Sequence, residues 1–135
     1  MYACTVWDPL RKKEVALTPE EKVRQWFIGY LHTDMKVPMH MMMSEAAISL
    51  GTKRFRADIV IYGRNAAPVA VIECKRPEVT LDKEVLMQAI RYNMVLNVKY
   101  IIVTNGRSTH ICERKADGSG YVFTGRAPQY DEMIL

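Results

Sequence analysis

The chain has 135 residues, which is enough for one domain with a single core and too few for two. Apolar residues make up 49% and charged residues 25%, a balance that is ordinary for a globular protein and excludes a disordered chain. The formal net charge of +4 suits a polyanionic partner, although it favours nucleic acid only mildly.

The cysteines Cys4, Cys74 and Cys112 are far apart in the sequence and odd in number. They predict reduced thiols, with neither a disulfide framework nor a zinc site. The N-terminus lacks the apolar core of a signal peptide, and no apolar run approaches the roughly 20 residues of a membrane span. We therefore expect a cytoplasmic protein with no membrane partner.

The first predicted helix follows a lead-in of residues 1–16. In the lead-in, Arg11-Lys12-Lys13 is a small basic cluster, either a solvated turn or an edge that faces phosphate. Thr18-Pro19-Glu20-Glu21 then predicts a helix start, because threonine can cap, proline fits the first helical position and Glu21 closes a capping box. The helix should run to about Leu31, with an apolar stripe of Val23, Trp26, Phe27, Tyr30 and Leu31.

Three strands are predicted after this helix. Residues 39–48 indicate a strand, or a strand turning into a bend, in which the spacing assigns no role to Glu45. Residues 54–62 and 68–75 are typical of apolar strands, and the turn Gly63-Arg64-Asn65 should join them as a hairpin.

The second half of the chain predicts one helix and three more strands. The helix should cover residues 82–96, and the strands residues 98–103, 109–114 and 121–124. A single crossover helix implies one parallel pair in an otherwise antiparallel sheet. The sequence thus predicts an α/β fold with a small mixed central sheet flanked by helices, ending in an irregular tail at residues 126–135. The buried side of the helix should consist of Val85, Leu86, Ala89, Ile90, Met94 and Val95.

The charged residues of the two central strands predict a chemical site. Because strand side chains alternate, Glu73 and Lys75 share a face while Cys74 points away. Magnesium usually takes one or two protein carboxylates, which Asp58 and Glu73 can supply on adjacent strands, and the backbone carbonyl of Cys74 could offer a third oxygen. Lys75 could orient a metal-bound water or offset charge on a phosphate.

This pattern predicts metal-assisted hydrolysis of a phosphodiester bond with Mg²⁺ or Mn²⁺. The alternative interpretation is a surface ion pair of Glu73 with Lys75 or Arg56. In the next helix, Gln88 should face the same region, and Tyr92 lies one helical turn later on the same face.

From about Trp7 to Tyr130, the chain resembles the type I restriction enzyme R protein N-terminal domain family, within the PD-(D/E)XK nuclease superfamily. The resemblance implies a restriction-endonuclease-like fold in which Asp58, Glu73 and Lys75 form the catalytic triplet. The matching stretches are Asp8-Pro9-Leu10-Arg11-Lys12, Leu17-Thr18-Pro19-Glu20-Glu21-Lys22-Val23-Arg24, Arg56-Ala57-Asp58-Ile59-Val60, Val71-Ile72-Glu73-Cys74-Lys75-Arg76-Pro77, Gln88-Ala89-Ile90-Arg91-Tyr92-Asn93 and Val103-Thr104-Asn105-Gly106.

The resemblance also assigns two helical positions. Gln88, with Tyr92, matches a glutamine motif near the catalytic lysine and the phosphate. A glutamate on the first helix often assists the metal in this superfamily, and Glu21 is the first choice for it, with Glu20 as the alternative. The chain departs from the pattern at Ala57, where proline is usual.

Full restriction R subunits carry an ATP-driven motor, but the chain contains no Gly-x-x-x-x-Gly-Lys-Ser/Thr phosphate loop, so ATP is not an expected partner. The expected function is a magnesium-dependent DNA endonuclease domain. Alternatives are a nucleic-acid-binding module that cuts nothing and a structural domain whose acids form ion pairs. A homodimer is compatible with the sequence, which marks no interface. The expected phosphate contacts are Arg56, Arg76 and Arg91 together with Tyr92, and further candidates are Lys53, Arg54 and Arg64.

Overall fold

The computed structural model describes residues 4–135 and shows the predicted mixed α/β architecture. Six strands form one sheet, in which every strand lies beside its neighbour in the chain. The strands of this sheet are β3 (Met42–Leu50), β4 (Lys53–Tyr62), β5 (Pro68–Cys74), β6 (Tyr100–Thr104), β7 (Thr109–Arg114) and β8 (Tyr121–Thr124). The other elements are the hairpin of β1 (Thr5–Asp8) and β2 (Lys13–Ala16) and the helices α1 (Pro19–Thr33), α2 (Lys83–Met94) and α3 (Tyr130–Met133).

The predicted parallel pair is confirmed. β5 pairs with β6 in parallel, and α2 is the crossover between them, whereas the other strand pairs of this sheet are antiparallel. A helix covers each face. The cluster that contains Phe27 of α1 and Ile72 of β5 lies on one face, and the cluster that contains Ile90 of α2 and Val71 of β5 lies on the other.

The start of α1 follows the predicted capping chemistry in part, and α2 is capped in the same way by Asp82. Thr18 Oγ1 accepts a hydrogen bond from the Glu21 amide at 3.1 Å, and Asp82 Oδ1 accepts one from the Val85 amide at 2.9 Å. The reciprocal half of the first capping box does not form, because the Thr18 amide donates to the Ala16 carbonyl. The side chain of Glu21 is therefore free for other contacts.

Both predicted apolar stripes are partly wrong. Trp26 is 49% exposed, since the buried face of α1 is centred on Phe27 and Leu31. On α2, Met94 and Val95 are exposed, and Asn93 takes the buried position that continues the face of Leu86, Ala89 and Ile90. The spacing of Leu86 and Asn93, seven residues apart, keeps both on one side of the helix.

The lead-in and the tail that is predicted to be irregular both contain regular structure. Within the lead-in, of which residues 1–3 lie outside the described part, β1 and β2 form an antiparallel hairpin. Within the tail, α3 buries Tyr130 and Met133 against the α1 side of the sheet. The Tyr130 hydroxyl donates to the Tyr62 carbonyl at 2.8 Å, which fixes the tail to the end of β4.

The hairpin of β3 and β4 is longer than the sheet it belongs to. β3 and β4 pair from Met42 opposite Ile61 to Leu50 opposite Lys53, but β4 pairs with β5 only from Ile59 onward. Residues 46–57, named the arm below, therefore extend beyond the sheet as a two-stranded ribbon. Gly51, with a φ of +63°, and Thr52 form the tight turn at its tip.

Two simpler predictions concern thiols and the membrane. The three cysteines are free, with Cys74 and Cys112 buried and Cys4 exposed. In residues 4–135, no helix is both long enough and apolar enough to cross a membrane.

Candidate functional site

Asp58 and Glu73 lie at the point where β4 leaves β5. The pairing of Ile59 with Ile72, continued by one residue, places the two acids opposite each other. Both border a cavity of about 230 Å³, named the site cavity below. Its lining consists of Glu20, Glu45, Arg56, Ala57, Asp58, Glu73, Cys74, Lys75 and Asn93.

The carboxylate of Asp58 is held on both of its oxygens. The Cys74 amide donates to Oδ2 at 2.6 Å, and Arg24 Nη2 lies 3.5 Å from Oδ1. Burial nevertheless raises the pKa of Asp58, because it takes the charge out of water, and the negative charges of Glu20 and Glu73 act in the same direction. A cation in the site cavity would relieve this cost.

Lys75 is fixed beside Glu73. Its Nζ donates to Glu73 Oε2 at 3.0 Å, and its backbone amide donates to the Thr104 carbonyl of β6 at 2.8 Å. The ion pair that we considered as an alternative is thus present, whereas Arg56 pairs with Glu45, at 3.7 Å. The Cys74 side chain packs into the core on the α1 side, as the alternation of strand side chains requires. Cys74 also lines the site cavity, between Glu73 and Lys75 in the sequence.

Gln88 and Tyr92 of α2 border a second cavity, of about 410 Å³, whose lining includes Glu73 and Lys75. These two residues therefore connect it with the site cavity. Tyr92 also contacts the arm, with its ring edge-to-face on Phe55 at a centroid distance of 5.5 Å and its hydroxyl 3.5 Å from the Arg56 amide. The glutamine motif thus faces the predicted lysine.

Arg24 is a site residue that sequence reasoning missed. It is 3% exposed and lies 3.2 Å from Glu45, 3.5 Å from Asp58 and 3.6 Å from Glu20, with Glu21 at 3.8 Å. Its Nε is buried without a hydrogen-bond partner. Its partners come from α1, β3 and β4, so it ties the three elements together.

The first-helix acids have different surroundings. Glu20 lines the site cavity with Asp58 and Glu73. Glu21 is only 6% exposed and accepts hydrogen bonds from Arg11 at 2.7 Å and from Gln25 at 2.9 Å. Of the two glutamates, Glu20 is thus the one that faces the cavity.

Arg11, from the basic cluster of the lead-in, also belongs to this network. It pairs with Asp8 and lies 3.8 Å from Glu45 as well as beside Glu21. The Arg11 contacts lower the pKa of Asp8, although burial of that carboxyl opposes the shift. The β1–β2 hairpin therefore delivers the Arg11 cation to the acidic end of α1, whereas Lys12 and Lys13 are exposed at the turn, as the solvated-turn interpretation predicts.

Glu45 marks a reversal of the strand pattern. Its φ is +52°, a left-handed conformation that costs a non-glycine residue on the order of 1 kcal/mol or more. On either side of it the pairing is regular, with Ser44 opposite Ile59 and Ala46 opposite Ala57. Both Ser44 and Glu45 contact Arg24 on the α1 side, and Ala46 packs on the α2 side. The kink thus directs two consecutive side chains toward α1.

Asn93 is the second residue that sequence reasoning missed. It is buried in α2, donates to the Ala89 carbonyl at 2.9 Å and lines the site cavity. A polar residue on the buried stripe of a helix could have been noticed, since buried amides are costly unless they have partners. The sequence around Arg24 gives no comparable signal, because its partner Asp58 is 34 positions away.

The donor set fits a magnesium ion better than a soft metal. Within residues 4–135, no three His, Cys, Asp or Glu side chains form a ready metal cage. Two opposed carboxylates, with water completing the shell, are the usual protein contribution to a magnesium site. The ion pairs of the network join six carboxylates to four cationic side chains, which leaves two negative charges for a divalent cation to balance.

Of the predicted phosphate contacts, Arg56 and Tyr92 line these cavities, and the others lie outside the two linings. Arg56 and Arg91 are exposed, and Arg76 pairs with Glu78 at 3.4 Å. Lys53 and Arg54 are exposed on the arm. Arg64 is exposed in the turn after β4, at the other end of that strand from the arm.

Comparison with known proteins gives three findings. The family model for the type I restriction enzyme R protein N terminus matches residues 19–128. A fragment assigned as an HsdR subunit of a type I restriction enzyme from Vibrio vulnificus YJ016 is 23% identical with a TM-score of 0.45, over 68% of this chain and 19% of that one. A protein assigned as a DUF820 nuclease from Anabaena variabilis ATCC 29413 is 10% identical with a TM-score of 0.51, over 90% of this chain and 76% of that one. The last match shows a nuclease-like fold. Comparison with curated protein sequences gives no match.

Proposed function

The chain belongs to the type I restriction enzyme R protein N-terminal family, and on that premise we propose that it is a metal-dependent nuclease domain that hydrolyses DNA phosphodiester bonds. The observation that carries the proposal is the meeting of Asp58, Glu73 and Lys75 at one cavity. The chain corresponds to about a fifth of the HsdR fragment, so ATP-driven activity of a larger assembly is not part of the proposal.

Asp58 and Glu73 would hold Mg²⁺ or Mn²⁺, with the carbonyl of Cys74 as a third oxygen. When bound, such an ion polarises the phosphoryl oxygen and lowers the pKa of its water. The Cys74 amide and Arg24 keep Asp58 in one orientation, which supplies pre-organised negative charge at the strand end. Glu20, or Glu21 behind it, would complete the acidic rim from α1.

Lys75 would act on the phosphate side of the cavity. Its ammonium, held by Glu73 at 3.0 Å, is positioned to offset the negative charge that develops on the phosphoryl oxygens. Gln88 of α2 lines the same cavity as Lys75 and offers an amide that can donate to a phosphate or accept from a water. Lys75 directly follows β5 and its amide donates to the Thr104 carbonyl, while Gln88 lies within α2, so the backbone fixes the position of both residues.

DNA is the proposed partner, and Arg56, Arg76, Arg91 and Tyr92 are the proposed contacts around the cavities. The net charge of +4 supports a polyanion without selecting one. A cytoplasmic location and independence from ATP are further parts of the proposal, and a homodimer that cuts both strands is the alternative to a single copy that cuts one strand at a time.

The test is cleavage of supercoiled plasmid with Mg²⁺ or Mn²⁺ by the wild type, by Lys75→Ala and by Glu73→Gln. Each substitution should lower the rate at least about a hundredfold, which is the usual loss when a charge-stabilising group is removed. Lys115→Ala, an exposed lysine in the turn after β7, is the matched control and should cut at the wild-type rate. If both site variants cut as fast as the wild type, the cleavage comes from a contaminant and the proposal fails.

A second candidate is a nucleic-acid-binding module that does not cut. The observation that favours it is the ion pair of Lys75 with Glu73, which occupies both groups. This candidate predicts salt-sensitive DNA binding with no cleavage under any divalent metal.

A further inference from the structure

The arm has a charge pattern that extends beyond the candidate site, whose cavity is lined by Arg56 but not by Lys53 or Arg54. Residues 46–57 include Lys53, Arg54 and Arg56 and no acid, in a chain whose net charge is only +4. The three cationic side chains are exposed. Such a concentration of one sign on a projecting element creates a local positive field.

The two faces of the arm differ. Arg54 and Arg56 share one face with Ser49 and Ala47, their partners on β3, and all four residues are exposed. On the opposite face, Phe55 is buried against Tyr92 of α2. The open face therefore combines two cations with two small side chains, so nothing bulky blocks the approach of a flat or rounded surface.

The open face begins at the candidate site. Arg56 is two residues from Asp58 and lies 3.7 Å from Glu45, and Arg54 is two residues farther along β4. At about 3.4 Å per strand residue, the two cations follow Asp58 at roughly 7 and 14 Å. The arm thus carries positive charge outward from the place where a phosphate would be cut.

We propose that the arm is a DNA-binding element that lies in the major groove of a duplex, with Arg54 and Arg56 on phosphates that flank the bond at the candidate site. The proposal rests on the proposed function and adds the surface that holds the substrate. The major groove of B-DNA, about 12 Å wide, admits a two-stranded ribbon, whereas the deep groove of an RNA duplex does not.

Single-stranded nucleic acid is the weaker partner for this surface. A stacking platform needs several exposed aromatic rings, whereas Phe55, the one aromatic residue of the arm, is buried and its contact Tyr92 offers a single exposed ring. The exposed tip is Leu50-Gly51-Thr52, which is small enough to enter a groove.

The experiment compares Arg54→Glu with Lys115→Glu, two exposed residues whose reversal changes the net charge equally. Lys115 lies in the turn between β7 and β8, at the opposite edge of the sheet from the arm. Binding to a duplex of about 30 base pairs, roughly three helical turns, is measured by fluorescence anisotropy in EDTA over a range of salt concentrations, so that no cutting is involved.

Arg54→Glu should weaken binding about tenfold at ~0.1 M salt and lower the slope of log K against log salt by about 1, the loss of one phosphate contact. Lys115→Glu should bind within about twofold of the wild type, and both variants should keep the wild-type melting temperature. Equal weakening by the two variants would reduce the effect to net charge and overturn the proposal, as would equal affinity of the wild type for single strands.

The results of the binding and cleavage experiments distinguish the proposed role of the arm from the proposed nuclease function. If the wild type binds duplex through Arg54 but never cuts, the arm stands and the proposed function fails. If the wild type cuts DNA, and Arg54→Glu binds and cuts DNA as the wild type does, the proposed nuclease function stands and the proposed role of the arm fails.

Discussion

Arg24 links elements that are distant in sequence through the contacts of its guanidinium. The residue is 3% exposed, and its carboxylate partners come from α1, β3 and β4. Removing one partner of a buried ion pair is costly, because the remaining charges lose their counterion in a low dielectric. The residue therefore contributes to stability and, through Asp58, to the geometry of the candidate site.

We expect Arg24→Met to lower the free energy of unfolding by about 3 kcal/mol, the low end for a broken buried pair, because Glu20 and Glu45 are partly exposed and screened. Urea unfolding at neutral pH measures the change. Lys22→Met, which removes an exposed cation from the same helix, should stay within about 0.5 kcal/mol of the wild type. Similar losses in both variants would mean that Arg24 has no special role.

Among the elements, the C-terminal helix α3 is a part of the core. Met133 is 1% exposed in the cluster that also contains Phe27 and Ile72, and the backbone amide of Tyr130 donates to the Met35 carbonyl at 2.8 Å. Four residues cannot form a stable helix alone, so packing holds α3 in place.

Met133→Ala should therefore cost about 3 kcal/mol of unfolding free energy, as cavity-forming methionine substitutions do. Met43→Ala is the matched control, since Met43 is 52% exposed on β3, and its cost should be below about 0.5 kcal/mol. Thermal or urea unfolding distinguishes the two. An unchanged stability of Met133→Ala would show that the tail is not docked as described.

The same elements show why sequence predicts some structure and not the rest. The strands over residues 109–114 and 121–124 are predicted at their observed bounds, because their β-branched and aromatic residues and the turn at Asp117-Gly118 between them are local signals. Three elements, β1, β2 and α3, have only four residues each, which is too short for a periodic pattern of apolar residues. Their formation depends on tertiary contacts.

In the candidate site, too, some features follow from local sequence signals and others depend on tertiary contacts. The placement of Asp58, Glu73 and Lys75 beside one another follows from the adjacency of two predicted strands and from alternation. The contacts of Arg24 and the backbone of Glu45 could not be predicted, because they depend on how α1 crosses the sheet and on a left-handed residue inside a strand. Such conformations are rare in strands and leave no local signature for glutamate.

At the scale of the whole molecule, residues 4–135 provide a single proposed triplet, so one copy can act on one strand at a time. We expect supercoiled plasmid to become open circles first and linear molecules later, since the second cut requires a second binding event. Agarose gel time courses at several protein concentrations measure the order. If linear molecules form without an open-circle stage, two copies act together, which would support a functional homodimer instead.

The left-handed turn of the backbone at Glu45 also separates two regions that can change independently. The residues of β3 before Glu45 keep their orientation relative to α1 when the arm changes. In the arm, the alternation of side chains between the two faces begins anew at Ala46. Insertions or deletions of residue pairs at the ribbon tip would leave the cationic side in phase and the acids untouched. Related chains could thus exchange ribbons of different length and adapt to new targets without rebuilding the chemistry beneath.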